Sequence, residues 1–197
     1  MSTTKDIQTK MTPAEALEQL KAGNERFLTG KRLARDYTRE VGETAGGQFP
    51  FAAILGCIDS RATAEQLFDQ GVGDIFNARV AGNIVNEDIL GSLEYACHVA
   101  GAKLILVLGH TSCGAVTAAT KKVELGNITT LLSKIIPVVD SLNGEVVVDE
   151  VAEHNVQHSI EQIRKESPIL KGMEISGKIL IMGAMYDVAT GQVRFLD

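Results

Sequence analysis

Two short, unbroken apolar runs stand out along the chain, at residues 51–55 and 104–108. Each is bounded by glycine or polar residues, and each reads as a strand covered on both faces, the pattern of a parallel sheet. Residues 74–80 and 178–184 supply two more strands, and residues 187–191 read as a turn into 192–196, a terminal hairpin extending one sheet edge. Helical periods fill the intervals. The first runs from Pro13 to about Thr29, with Thr12 as N-cap, Pro13 at the first helical position and Glu15 closing a capping box. Its apolar positions, Ala16, Leu17, Leu20, Phe27 and Leu28, make only a partial stripe, suited to lying across another surface rather than within a deep core. Residues 30–49 show no period and read as an irregular crossing. Further helices are expected over 64–70, 87–100, from near Ala115, over 128–142 with a break at Pro137, and over 149–166. Ala81-Gly82-Asn83 marks a tight loop.

Strands alternating with helices define an α/β fold, a central, mostly parallel β-sheet flanked by helices. A chain of 197 residues that is 45% hydrophobic suits one domain over 1–197, with 1–48 a helical arm and crossing and 49–197 the α/β core. The net charge of −6, without a basic run, gives no electrostatic footprint for nucleic acid or an anionic membrane. No apolar stretch reaches the length of a membrane span, and Met1 to Lys10 lacks the apolar core of a secretory signal. The expected partner is a small molecule or another protein. The three cysteines, Cys57, Cys97 and Cys113, cannot all pair within one chain. A reducing cytoplasm would keep them as thiols, which suit metal ligation.

Candidate chemistry sits at the ends of the two apolar runs. Cys57-Ile58-Asp59-Ser60-Arg61 follows the first and His110-Thr111-Ser112-Cys113 the second. Ligands collect at the carboxyl ends of strands in open α/β sheets, so two adjacent strands would deliver Cys57, Asp59, His110 and Cys113 to one point. Thiolate, imidazole and carboxylate are zinc ligands, and a catalytic zinc keeps one position for water. Asp59 can fill the fourth position or stand aside. Arg61, two residues on, favours standing aside, because a guanidinium holds a carboxylate by two parallel hydrogen bonds. Held so, Asp59 would orient a zinc-bound hydroxide toward substrate. Zinc lowers the pKa of its water from about 16 toward about 7; two thiolates soften the effect, so a mildly alkaline optimum is expected. A lone cysteine is usually a small buried hydrophobe, and an isolated His-x-x-Cys arises by chance. Both motifs at equivalent strand ends point instead to a metal, and the paired Cys-x-x-Cys knuckles common in structural sites are absent. Elsewhere, His154 and His158 share a helix face that reads as solvated, Cys97 reads as core, and His98 is a candidate proton carrier near a subunit seam.

The two motifs, with His110-Thr111-Ser112-Cys113 continuing into Gly114, resemble those of the β-class carbonic anhydrases, and the likeness extends from about Gln48 to Ala119. It includes Asp74-Ile75-Phe76, Arg79-Val80-Ala81-Gly82-Asn83 and Leu93-Glu94-Tyr95-Ala96. The resemblance implies reversible hydration of carbon dioxide to bicarbonate, with Cys57, His110 and Cys113 as zinc ligands and Asp59 with Arg61 as a catalytic dyad. It also implies a substrate pocket at Gln48, Phe76, Ala81, Tyr95 and Gly114, in which Gln48 donates to substrate oxygen and Phe76, Ala81 and Tyr95 form an apolar wall. In the family that wall comes from a neighbouring subunit. A homo-oligomer is therefore implied, a dimer or a dimer of dimers, with the first helix packed on its partner. Three departures bear on the pocket: Ala62-Thr63-Ala64 follows Arg61 where many members carry Val-Pro, Ala81 replaces a larger aliphatic residue, and no tryptophan is present for a regulatory bicarbonate pocket of the kind some members build on one. Hydrolases of carbonyl sulfide or carbon disulfide resemble the same fold and motifs. A catalytically silent zinc protein, with Asp59 on the metal, is the third alternative.

Overall fold

The computed structural model describes residues 2–142 and 146–196; Met1, residues 143–145 and Asp197 lie outside them. Among the described residues one sheet carries strands β1 (Ala52–Gly56), β2 (Ile75–Arg79), β3 (Leu104–His110), β4 (Leu180–Tyr186) and β5 (Val193–Phe195), in the order β2-β1-β3-β4-β5. β1 to β4 are parallel, and β5 returns antiparallel on β4 as the expected edge hairpin. β1 and β3 occupy the middle and are buried along their whole length. That position, with helices on both faces, is why both read as uninterrupted apolar runs.

Side-chain alternation divides the interior into two cores. Ala53, Leu55, Ile105 and Val107 face one, and Ala52, Ile54, Leu104, Leu106 and Leu108 face the other. The helices are α1 (Lys5–Lys10), α2 (Pro13–Leu28), α3 (Tyr37–Thr44), α4 (Ala64–Leu67), α5 (Glu87–Glu94), α6 (Gly114–Thr120), α7 (Gly126–Leu132), α8 (Ile136–Ser141), α9 (Val148–Glu166) and α10 (Pro168–Ile175). A 3₁₀ turn covers Ala81–Asn83, where a tight loop was expected, and a π turn over Tyr95–Val99 closes the helix expected to reach Ala100. Pro137 marks the expected break, lying in the first turn of α8.

The capping box of α2 is formed: Glu15 N–H donates to Thr12 Oγ1 at 3.2 Å and Thr12 N–H to Glu15 Oε2 at 2.8 Å. Its stripe, however, is seated in its own chain, with Ala16, Leu17 and Leu20 buried against Leu67 and Phe68 in the second core. Contact with a partner would have to use the remaining face of the helix. The irregular crossing expected over residues 30–49 contains α3, and α1 and α10 also lay outside the expected elements. α3 is inverted: Tyr37 and Val41 are exposed and Glu40 is buried, its carboxylate taking Arg35 Nη1 at 3.0 Å and Val72 N–H at 3.0 Å.

α9 crosses β3 and β4 where neither carries a side chain. A Cβ at Gly109 would stand 2.5 Å from Val156 Cγ2, and one at Gly183 would stand 2.7 Å from Val156 Cγ1. Val156 thus sits in a notch formed by two glycines on adjacent strands. The fit of α2 is equally close. A Cβ at Gly23 would lie 1.8 Å from the Phe68 carbonyl oxygen, a backbone atom that cannot swing away. Gly23→Ala should therefore cost about 3 kcal/mol of unfolding free energy, the upper range for overpacking a close contact. Urea denaturation measures it, and a loss below about 1 kcal/mol would show that α2 is not held this tightly.

Candidate metal centre

Parallel pairing sets Gly56 of β1 opposite Leu108 of β3. At the carboxyl ends of these strands, His110 as the last residue of β3 and the loops that carry Cys57 and Cys113 come to one spot. Their ligand atoms lie within 4.8 Å of one another, and all three residues are buried. His110 Nδ1 is 2.9 Å from the Thr111 carbonyl oxygen, an acceptor only, so Nδ1 carries the proton and Nε2 keeps its lone pair. Nε2 is buried and has no hydrogen-bond partner. An unpaired imidazole nitrogen facing two thiols is what a cation site requires of its ligands, so the donor set fits zinc.

The thiols behave as a pair. The Cys113 thiol beside it, helped by His110 and by the Gly82 and Asp59 N–H groups, holds Cys57 at about 4 against burial. Cys113 is correspondingly pushed up by the Cys57 sulfur and by burial. Burial alone would lower His110; the neighbouring Cys57 sulfur and the Thr111 carbonyl outweigh burial and raise it. Cys97 lies apart in the core, its thiol pushed up to about 12 by burial.

Asp59 is turned toward Arg61. The guanidinium donates from Nε to Oδ1 at 2.9 Å and from Nη2 to Oδ2 at 2.8 Å, while the Arg61 N–H adds a third bond to Oδ1 at 2.9 Å. The other face of the pair is close to the metal group, with Oδ2 4.0 Å from His110 Nε2. Arg61 therefore holds the carboxyl well below the usual range, and Asp59 stays ionised.

Three further groups brace the loops, and the sequence motifs did not assign them a role. Arg79 donates from Nε to the Cys57 carbonyl at 2.8 Å and from Nη2 to the Asp59 carbonyl at 2.5 Å, fixing the backbone on both sides of Ile58. Asp149, in the first turn of α9, accepts from the Ser112 N–H at 2.7 Å, where Ser112 adopts a positive φ of 55° between the two ligands of its loop. Gly82 N–H donates to Cys57 Sγ at 3.3 Å. The signal for Gly82 was in the sequence as a tight loop; those for Arg79 and Asp149 were not, because a charged residue on a strand or in a helix's first turn is ordinary.

The residues expected to line a substrate pocket fall into two groups. Ala81 precedes Gly82 and Gly114 follows Cys113, so both adjoin the metal group along the chain. Phe76 and Tyr95 meet edge to face, ring centroids 6.4 Å apart, and line a groove of about 460 Å³ that includes none of Cys57, Asp59, His110 or Cys113. Gln48 is exposed in the loop before β1. His98 is exposed in the π turn, and on α9, outside the metal group, His154 is exposed and His158 partly exposed.

This geometry agrees with what the chain is similar to. A family model described as carbonic anhydrase matches residues 52–193. Carbonic anhydrase 2 of Mycobacterium tuberculosis is 36% identical over 195 residues, covering 94% of this chain and 93% of that protein. A solved β-carbonic anhydrase from Aspergillus fumigatus matches with a TM-score of 0.73 at 26% identity, covering 93% of this chain and 90% of the other. The Coccomyxa β-carbonic anhydrase solved with acetazolamide gives a TM-score of 0.73 at 27% identity, with 91% and 84% covered. The chain belongs to the carbonic anhydrase family of lyases, as a member of its β class.

The grip of Arg61 on Asp59 can be read by titration. A carboxyl depressed in the folded state contributes stability that is fully present above its unfolded value of about 3.9 and is lost as pH falls through the lower folded value. In metal-free protein, Arg61→Gln should move the Asp59 carboxyl resonance titration upward toward about 3.9. It should also lower unfolding stability at about pH 5 to 7, with the difference shrinking below about pH 4. An Asp59 titration left in place by the substitution would mean that Arg61 does not set its charge.

Proposed function

We propose that this chain catalyses the reversible hydration of carbon dioxide to bicarbonate and a proton, with Cys57, His110 and Cys113 holding a zinc ion and Asp59 kept off it by Arg61. The observation that carries the reading is the pairing of an unpartnered His110 Nε2 with an Asp59 carboxylate whose oxygens are both committed to a guanidinium. When bound, zinc supplies a water acidified enough to attack carbon dioxide near neutral pH. Asp59, ionised and fixed in direction by Arg61, would serve as the hydrogen-bond acceptor that orients such a water. Arg61 keeps Asp59 in this role rather than in the fourth ligand position. Arg79 holds the backbone carbonyls of Cys57 and Asp59, so ligand and acceptor move as one piece. The small residues Ala81 and Gly114 flank the metal group along the chain, which supports access for a small linear substrate.

Gln48, Phe76 and Tyr95 complete the pocket from a second copy of the chain. Tyr95 and Val99 support this: they are 55% and 66% exposed and lie one turn apart, and Tyr95 lines the same groove as Phe76. A dimer or dimer of dimers would cover them. The three free thiols support a reducing, cytoplasmic setting, and no helix among the described residues is long and apolar enough to cross a membrane. The two cores share one sheet, which supports reading residues 1–197 as one domain.

Stopped-flow hydration by zinc-loaded protein from about pH 6.5 to 9 tests the reaction, because that range spans the ionisation of zinc-bound water. Turnover should rise with pH and fall about 100-fold or more in Asp59→Ala, the scale of a lost proton-handling group. Zinc bound at one per chain with no turnover at any pH would sink the reading. Sulfide release from carbonyl sulfide exceeding carbon dioxide turnover on the same preparation would replace it with the hydrolase.

Tyr95→Glu should shift sedimentation toward the monomer and lower turnover in proportion to the monomer fraction. Full activity in a demonstrated monomer would remove the partner from the site.

A further inference from the structure

The longest helix, α9, reaches Gly82, whose N–H touches the metal group, through a buried amide. Asn155 of α9 is 1% exposed, and its Nδ2 donates to the Gly82 carbonyl at 2.8 Å. Its Oδ1 is buried with no partner. Leaving a buried acceptor unpaired costs about 1–3 kcal/mol, so the orientation of this amide rests on its Nδ2 bond to Gly82. The asparagine's one bond is therefore the thing to explain.

That bond falls on the residue with the freest backbone in the loop. Gly82 has a φ of +69°, and a Cβ there would stand 2.6 Å from Ile135 Cδ1, so glycine is required and its freedom must be restrained from outside. The peptide following Gly82 is held on both edges, by Asn155 on the carbonyl and by the Asn83 N–H donating to the Val80 carbonyl at 2.9 Å. With that plane fixed, the N–H on the other side of Gly82 Cα is aimed at Cys57 Sγ, 3.3 Å away. Asn155 in turn cannot drift, because Val156, the next residue, sits in the notch made by Gly109 and Gly183.

We infer that Asn155 is a positioning residue for the metal centre: by pinning the Gly82 peptide it keeps an N–H on the Cys57 sulfur and so limits the charge that sulfur gives the metal. The inference rests on the metal-centre reading above. A ligand sulfur that accepts a hydrogen bond donates less charge, and partners of metal ligands typically change affinity or activity by 10–100-fold when removed. With two thiolates on one ion, this donor offsets part of the softening that a second sulfur brings.

The test uses the full chain loaded with cobalt(II), whose sulfur-to-metal absorption reports thiolate charge directly. Asn155→Leu should move that band to lower energy while keeping the tetrahedral visible pattern, and zinc affinity from chelator competition should fall about 10-fold. Asn155→Ala, which removes the same donor without adding bulk, should give the same shift. Ser159→Ala is the comparison: Ser159 Oγ donates to the neighbouring Asn83 carbonyl at 3.0 Å, so its loss disturbs the same helix and loop but should leave the band in place. A band unmoved in both Asn155 variants, or moved equally by Ser159→Ala, overturns the inference and leaves the metal centre intact. Wild-type protein that takes up cobalt without any sulfur-to-metal absorption overturns the metal-centre reading and this inference with it.

Discussion

The parallel register between β1 and β3 is the constraint on which the site depends. It sets Gly56 opposite Leu108, so Cys57 leaves the sheet as its neighbour reaches Gly109 and His110. A slip of one residue would exchange the core faces of Ala53 and Leu55 with those of Ala52 and Ile54, which are already filled by different sets of helices. The hydrophobic cores therefore enforce the alignment of the ligands. Packing here does more than stabilise the fold: it fixes the distance between two thiols and an imidazole that are far apart in sequence.

The metal group itself is costly to the folded chain. Two thiols and an imidazole are buried together, one imidazole nitrogen is unpaired, and the Cys113 thiol is pushed up by the Cys57 sulfur and by burial. Buried polar atoms without partners oppose folding, and a cation would satisfy all three at once. Charge outside the group is managed separately. Asp59 has its carboxylate on Arg61 and its carbonyl on Arg79, so neither end is free to collapse into the group.

What the sequence disclosed, and what it hid, follows from how each element is buried. β1 and β3 were legible because burial on both faces leaves an apolar run, and the ligands were legible because they stand at the ends of those runs. α3 was hidden because its inward residue is Glu40 and its apolar residues, Tyr37 and Val41, face outward, so a search for an apolar stripe finds none. α1 has the same character: its buried residue is Gln8, whose amide bonds the Pro50 and Ala100 carbonyls at 2.6 and 2.8 Å. α10 is different, since Ser167 and Pro168 repeat the cap-and-proline signal that located α2. Arg79 stands in one of the stretches that carry the resemblance, yet neither its role nor that of Asn155 could be read from local pattern. Their roles exist only through backbone carbonyls that the fold brings to them.

Glycines do much of the positioning that side chains do elsewhere. Gly109 and Gly183 let α9 settle onto the sheet at Val156, and that depth decides whether Asn155 can reach Gly82. Were either strand glycine an alanine, the helix would have to ride outward by the bulk of a methyl group and the amide would lose its carbonyl. The charge on Cys57 would then change through a packing contact that Cys57 itself does not make. On this reading the notch, the amide and the glycine N–H are one mechanical path, in which close backbone packing is converted into the electronic character of a ligand.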